Sequence, residues 1–269
     1  MSQLQKTPMR PISDIHEALA LLTIIPGPKA KTAPTPAITP WFPWVGALLG
    51  VATVAPLVAI GAVNADSGQG ELLARGAVLF AALLVALQHL LSRLIHFSGL
   101  AAVADAWWGG GTPVLRVERL VADSIGTKGA AAVALATFVC IGSISLILVS
   151  GQAILLLAAV PMLGRFSAMF GSWLGAIASP QERFSGLIGR PNAIGLLIFA
   201  LAVVALGYGM FHFYDRSGLM WAAAGLFIAL TVPHQLAERF RGVTREVTNA
   251  SSLVTEMICL VIAAIWLSW

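Results

Sequence analysis

The chain has 269 residues, of which 58% are hydrophobic and only 10% charged, and its mean hydropathy is +0.87; a soluble domain would carry about 25% charged residues. So few polar residues cannot line a barrel lumen in alternation, which leaves an all-α, polytopic integral membrane helical bundle forming a single domain, 1–269. The formal charge of +4 then reports membrane topology and not nucleic-acid binding, and no nucleic-acid partner is expected. Cys140 and Cys259 both lie in apolar runs, where a thiol acts as a small hydrophobe, so no disulfide framework is expected.

At the N-terminus the apolar stretch Ala18 to Pro26 is short, broken by proline and without a small-residue cleavage site, so no cleaved signal peptide is expected. A short amphipathic helix is predicted at about 14–25, and the proline-spaced segment TAPTPAITP that follows belongs at the membrane surface. Trp41 and Trp44 are interface aromatics opening the first span, about 44–63. Further spans are predicted at about 76–94, 130–149, 153–178, 193–211, 219–232 and 253–266, making about seven. Three long polar segments separate them: 93–129, 179–192 and 233–252.

Positive charge orders this arrangement. Thirteen of the sixteen Lys and Arg residues fall on one side of the membrane, Arg75 and Arg216 fall on the other, and Arg165 lies within a span. The positive-inside rule then puts the N-terminus and all three polar segments of this multi-pass membrane protein in the cytoplasm. No internal repeat is visible, so an inverted-repeat transporter gains no support.

The working surface is the longest polar break, 93–129, which holds His96, Asp105 and Asp123 around the turn Gly109-Gly110-Gly111-Thr112-Pro113. Carboxylates gathered with glycine-rich turns suit Mg²⁺-assisted phosphoryl transfer, because a hard cation takes oxygen ligands and backbone amides hold phosphate oxygens. Each of these residues also has a plainer role. Asp105 beside Trp107 and Trp108 fits a charged residue at a membrane interface, His96 an interfacial residue at a helix end, and Asp123-Ser124 a turn and helix cap. A cap and a phosphate site are compatible, since a helix start favours anions. Arg165 is costly in lipid and must face the bundle or an edge, and Glu256 could serve as its partner.

Four blocks along the chain, ALALLTIIPGP with WFPWVGALLG, IHFSGLAAVADA, ADSIGTKG, and FRGVTREVTNA followed by Glu256, are similar in order and interval to the cobalamin synthase family, the adenosylcobinamide-GDP ribazoletransferases. The family patterns are ALxFLTRIPxP with FFPLVGxxxG, LHLDGLADTADG, KDSRIGxFG and GGVTGDVLGA. The resemblance implies a membrane transferase that joins α-ribazole, or its 5′-phosphate, to adenosylcobinamide-GDP with release of GMP and with Mg²⁺ as cofactor. Its partners would be the corrinoid nucleotide, the ribazole and the lipid bilayer, and a homo-oligomer or a complex with other cobalamin biosynthesis enzymes is compatible with it.

On this resemblance Asp105, Asp123 and His96 are the catalytic candidates. Asp105, Asp123, Glu246 and Glu256 are the metal candidates, and Ser124, Gly126, Arg165, Gly242 and Thr244 the substrate-binding ones. The departures are as informative. The family's three aspartates fall at i, i+4 and i+7, on one helix face, where this chain has Ser98, Ala102 and Asp105; Arg245 and Glu246 replace a glycine and an aspartate. A catalytically degenerate relative that binds corrinoid or assists a partner, or a small-molecule transporter, is therefore the alternative to an active enzyme.

Overall fold

The computed structural model describes residues 11–26, 35–63, 75–122, 124–150, 154–174 and 187–268, and these are helical throughout their regular structure. In chain order the helices are α1 (Pro11–Leu22), α2 (Phe42–Val63) after the 3₁₀ turn Pro36–Trp41, α3 (Ala77–Leu91), α4 (Ile95–Trp108), α5 (Pro113–Leu120), α6 (Thr127–Val149), α7 (Ile154–Leu174), α8 (Ala193–Phe240) and α9 (Arg245–Leu267). The all-α membrane bundle is as the composition requires, because a backbone in lipid must satisfy its own hydrogen bonds.

Among the described residues five helices are long and apolar enough to cross a membrane, or six if α3 and α4 count as one broken span. The expected number was about seven, and α8 is where the two counts differ. It is one 48-residue element broken at Asp215 (φ 54°, ψ −144°). There the chain folds back, since Gly218 packs on the backbone of Met210 and on Tyr214, and Gly207 faces Leu219. These pairs would lie ~12 Å and ~18 Å apart along an unbroken helix.

Two other boundaries depart from expectation. The sixth predicted span runs on through Pro233 to Phe240, and α9 starts at Arg245, so the polar segment 233–252 is almost wholly helical. A proline costs a helix one hydrogen bond, and packing of Val232, Pro233 and Phe240 in the interior outweighs it. Of the fourth span, 154–174 is helix and 175–178 lies outside the described residues, as do the first and second basic clusters at Lys6, Arg10, Lys29 and Lys31.

α7 is the interior helix, with 83% of its apolar window buried, whereas α8 is peripheral at 28%. α2 runs antiparallel along it: Gly46 meets Pro161, Met162 and Arg165, while Gly50 meets Ala158. Small residues allow that approach, as is usual where lipid gives helices no hydrophobic drive to associate. α9 lies on the other side, touching α4, α6, α7 and α8.

The polar break foreseen at 93–129 is mostly α4 and the short α5. α3 closes with the Leu94 amide donating to the His89 carbonyl (2.7 Å), the Schellman pattern. Arg93 (φ 54°) and Leu94 (φ 57°) both take the left-handed conformation, at roughly 1 kcal/mol or more each for non-glycine residues. The chain thereby turns through 91° into α4, which lies crosswise to α3. α4 is fixed against α9 at Gly99, where an added Cβ would stand 2.5 Å from Asn249 Cβ and 2.9 Å from the Ala250 nitrogen. Gly99→Ala is therefore expected to destabilise the protein by ~1–3 kcal/mol through overpacking, lowering its melting temperature in detergent. Gly142→Ala, where a Cβ meets nothing within 4 Å, should leave it unchanged or slightly raised.

Candidate functional site

Asp105 sits in the last turn of α4, and its carboxylate spans the gap to the start of α6. Oδ2 accepts from the Gly126 amide (2.6 Å) and Oδ1 from the Gly129 amide (2.8 Å). Gly126 is the residue preceding α6, with extended backbone (φ −89°, ψ 177°) and no cap from its own side chain. Asp105 thus supplies, from another helix, the anionic oxygen that a helix N-terminus favours. The glycines are required by closeness: a Cβ on Gly126 would come 2.6 Å from Asp105 Oδ1, and one on Gly129 would collide with Oδ2.

Around this contact lies an open cleft of about 280 Å³, lined by Asp105, Gly109, Arg119, Ala122, Ser124, Gly126, Thr127 and Lys128. Arg119 Nη1 donates to the Gly110 carbonyl (2.7 Å) and Lys128 Nζ donates to the Trp108 carbonyl, so both cations are held at the cleft. Two cations and a helix start beside one carboxylate make a surface suited to phosphate oxygens. Arg119 and Lys128 were read in the sequence only as topological charges. The signal that marked Lys128 was its place two residues after Gly126, at the start of a helix. Ser124 and Gly126, the expected substrate-binding residues, line the cleft, and Asp123 lies outside the described residues.

The wall behind the cleft is a small apolar cluster of Val103, Ala106, Leu120, Phe240, Val247 and Ala250, which ties α4 and α5 to the end of α8 and the start of α9. Arg239 stacks over Trp107, 4.8 Å from its ring centroid, and Trp107 meets Phe240 edge-on. Gly242 (φ 151°) and Arg241 (φ 57°) form the turn between α8 and α9, and Thr244 caps α9 through the Val247 amide (3.2 Å). Those two predicted substrate residues thus shape the turn, and Thr244 is fully buried.

A second polar constellation lies in the bundle interior. Arg165, fully buried on α7, donates through Nη1 to Glu256 Oε1 (2.8 Å) and through Nη2 to Ser92 Oγ (3.2 Å). Gln88 Nε2 donates to Glu256 Oε2 (2.6 Å), and Ser92 Oγ donates to the Gln88 carbonyl (2.8 Å). Glu256 therefore has both oxygens engaged, the pairing with Arg165 being the plainer of the two roles open to it. Glu246 and Glu256 lie ten residues apart on one helix, about 15 Å along its axis, too far for both to bind one Mg²⁺ at ligand distances near 2.1 Å. Glu246 is in the first turn of α9 beside α4, with Oε2 buried and without a hydrogen-bond partner.

His96 is also interior, 1% exposed, with Nδ1 3.3 Å from the Asn249 carbonyl. A carbonyl only accepts, so Nδ1 carries the proton and Nε2 faces the interior without a partner. His96 links α4 to α9 and does not line the cleft. No three His, Cys, Asp or Glu side chains among the described residues come together as a metal-ligand set.

These observations define an all-α, multi-pass membrane protein with a carboxylate and a cation-lined cleft where the crosswise helix meets the start of α6. Comparison with known proteins narrows the class: the family model described as cobalamin-5-phosphate synthase matches residues 14–264, and the chain belongs to that family. It is similar to the adenosylcobinamide-GDP ribazoletransferase of Chlorobium chlorochromatii, at 31% identity covering 93% of this chain and 95% of that protein. Proteins with the same printed name from Pseudomonas paraeruginosa (30% identical, 83% and 85% covered) and Syntrophobacter fumaroxidans (28%, 83% and 85%) are also similar. No solved structure matches the chain.

Proposed function

We propose that this protein is an adenosylcobinamide-GDP ribazoletransferase, joining α-ribazole or its 5′-phosphate to adenosylcobinamide-GDP in the last steps of cobalamin biosynthesis. The reading is supported by the family match over residues 14–264 and carried by one structural observation: Asp105, Arg119, Lys128 and the start of α6 meet in one open cleft. The ribazole 5′-hydroxyl oxygen bonds to the phosphorus that stays with the cobinamide, the bond from that phosphorus to the GMP oxygen breaks, and the hydroxyl proton leaves to a base. Such a transfer rests on positioning and on neutralising phosphate oxygens. Arg119, Lys128 and the α6 amides hold those oxygens in the cleft, and Ser124 adds a hydroxyl.

Mg²⁺ commonly uses one or two carboxylates and completes its shell with water and substrate phosphates. Asp105 on the cleft fits that need, and Asp123 is its candidate companion on the family resemblance; Glu246 has an unpartnered oxygen but does not line the cleft, and Glu256 is engaged by Arg165 and Gln88. When bound, the ion would neutralise charge on the pyrophosphate. The charge distribution supports a cytoplasmic N-terminus and a cytoplasmic cleft in a bacterial or archaeal plasma membrane.

A second reading has its own observation. Ser98, whose hydroxyl is turned to the Ile95 carbonyl (2.9 Å), and Ala102 occupy the positions of two motif aspartates, as a relative that binds corrinoid without catalysis would have them. Protein reconstituted in lipid and given adenosylcobinamide-GDP, α-ribazole and Mg²⁺ is expected to release GMP. Retention of corrinoid without GMP would establish the non-catalytic relative, and vesicle uptake without chemistry a transporter.

A further inference from the structure

A second cavity, of about 170 Å³, opens away from the Asp105 cleft, between α1, the start of α2, the start of α4, α7 and the first turn of α9. We propose that it is a binding site for the phosphate headgroup of an anionic phospholipid, a role that does not depend on the transfer reaction.

The polar part of its lining is cationic. Arg93, at the bend between α3 and α4, and Arg245, the first residue of α9, both line it. Neither forms an ion pair with any carboxylate among the described residues, and Glu246, next to Arg245, does not line the cavity. Both side chains are exposed and open to water, and two guanidiniums with no carboxylate paired to them offer a joint contact to an anion; guanidinium is the side chain best matched to phosphate.

The third polar group comes from Asn249. It is 8% exposed and lines the cavity, yet its side-chain amide makes no hydrogen bond within the protein; only its backbone carbonyl is used, by His96. A phosphate oxygen would accept from that amide. Thr248, the remaining polar neighbour, is already spent on the Thr244 carbonyl (3.0 Å).

Size and surroundings select the occupant. The cavity equals the liquid volume of about five or six water molecules, room for a phosphate and part of a glycerol and far too small for a corrinoid nucleotide. Its other walls are apolar, among them Leu21, Phe42 and Ile95, which suit the start of an acyl chain. It also lies where headgroups lie. Trp41 and Trp44 flank Phe42 at the opening of α2, and Ile12 on α1 and Ile24 and Ile25 just after it are exposed. The end of α1 is pinned to the same level by the Ile24 amide donating to the Leu91 carbonyl (2.8 Å).

The test is thermal stability of the full chain, purified in neutral detergent, against added short-chain phosphatidylglycerol. A saturable rise in melting temperature is expected, with binding weakened about tenfold or more in Arg93→Gln/Arg245→Gln, which removes two charge-assisted contacts. Asn249→Asp keeps the shape and places a negative charge against the phosphate, and it should lose the response while its own melting temperature in detergent stays close to wild type. Short-chain phosphatidylcholine, whose headgroup has no net charge, should act far more weakly. An unchanged response in the double variant, or no response in wild type, overturns the site. An equal response to inorganic phosphate overturns the lipid assignment in favour of a soluble phosphate ligand. GMP release is read separately, so the failure of either proposal leaves the other standing.

Discussion

Arg165→Met is expected to destabilise the bundle by about 3–5 kcal/mol, seen as a large fall in melting temperature and in detergent-extracted yield. The loss comes less from the ion pair itself than from the charge left behind. Glu256 is 2% exposed, and removing its partner strands a carboxylate in the interior with only the Gln88 amide to meet it. Glu256→Gln should cost less, because a carboxamide oxygen still accepts from Arg165 and the remaining charge has Ser92 beside it. The double replacement Arg165→Met/Glu256→Leu should recover much of the stability lost in the single Arg165 variant, since exchanging a whole buried pair for apolar groups is often near neutral. A double variant as unstable as the single one would show that the pair does more than satisfy itself, and would direct attention to Gln88 and Ser92, which share its hydrogen bonds.

Asp105→Ala is expected to abolish GMP release and also to lower the melting temperature, because both uses of the carboxylate disappear at once. The start of α6 would lose the acceptor for Gly126 and Gly129, a cap loss of ~0.5–2 kcal/mol. Asp105→Asn separates the two. Asparagine keeps one acceptor oxygen for one of the two amides and turns its NH₂ toward the other, so its melting temperature should fall less than that of Asp105→Ala, while it brings no charge to a metal or to phosphate chemistry. Activity in Asp105→Asn is expected to fall at least a hundredfold. Activity close to wild type in that variant would reduce Asp105 to a cap and move the chemistry to Asp123 or Glu246. Raising Mg²⁺ in the same assay checks the metal role, since a variant that only weakens ion binding is partly rescued at higher concentration.

The membrane bundle was legible in the sequence because composition settles it, and so was Glu256 as a partner for Arg165. Charge is scarce in this chain and therefore informative wherever it occurs in an apolar run. What was not legible has a common cause. The bend after α3 depends on Arg93 and Leu94 adopting positive φ, which neither residue advertises as a glycine would. Without that bend nothing turns His96 toward Asn249. The segment 233–252 read as a polar loop on its proline and its charges, whereas apolar residues spaced along it bury one face of α8 and α9. Glu246 and Glu256 were grouped as metal candidates on the family resemblance, and continuous helix between them is what separates them.

The contact between Asp105 and α6 also bears on how the protein is made. The two amides that Asp105 accepts from lie 21 and 24 residues further along the chain, and a ribosome adds that many in roughly 1–5 s at 5–20 residues per second. During that interval Asp105 has been synthesised while its carboxylate has nothing to hold. The cleft is thus assembled late, when the sixth helix enters the membrane, and a nascent chain arrested before Gly129 carries the acid without its socket.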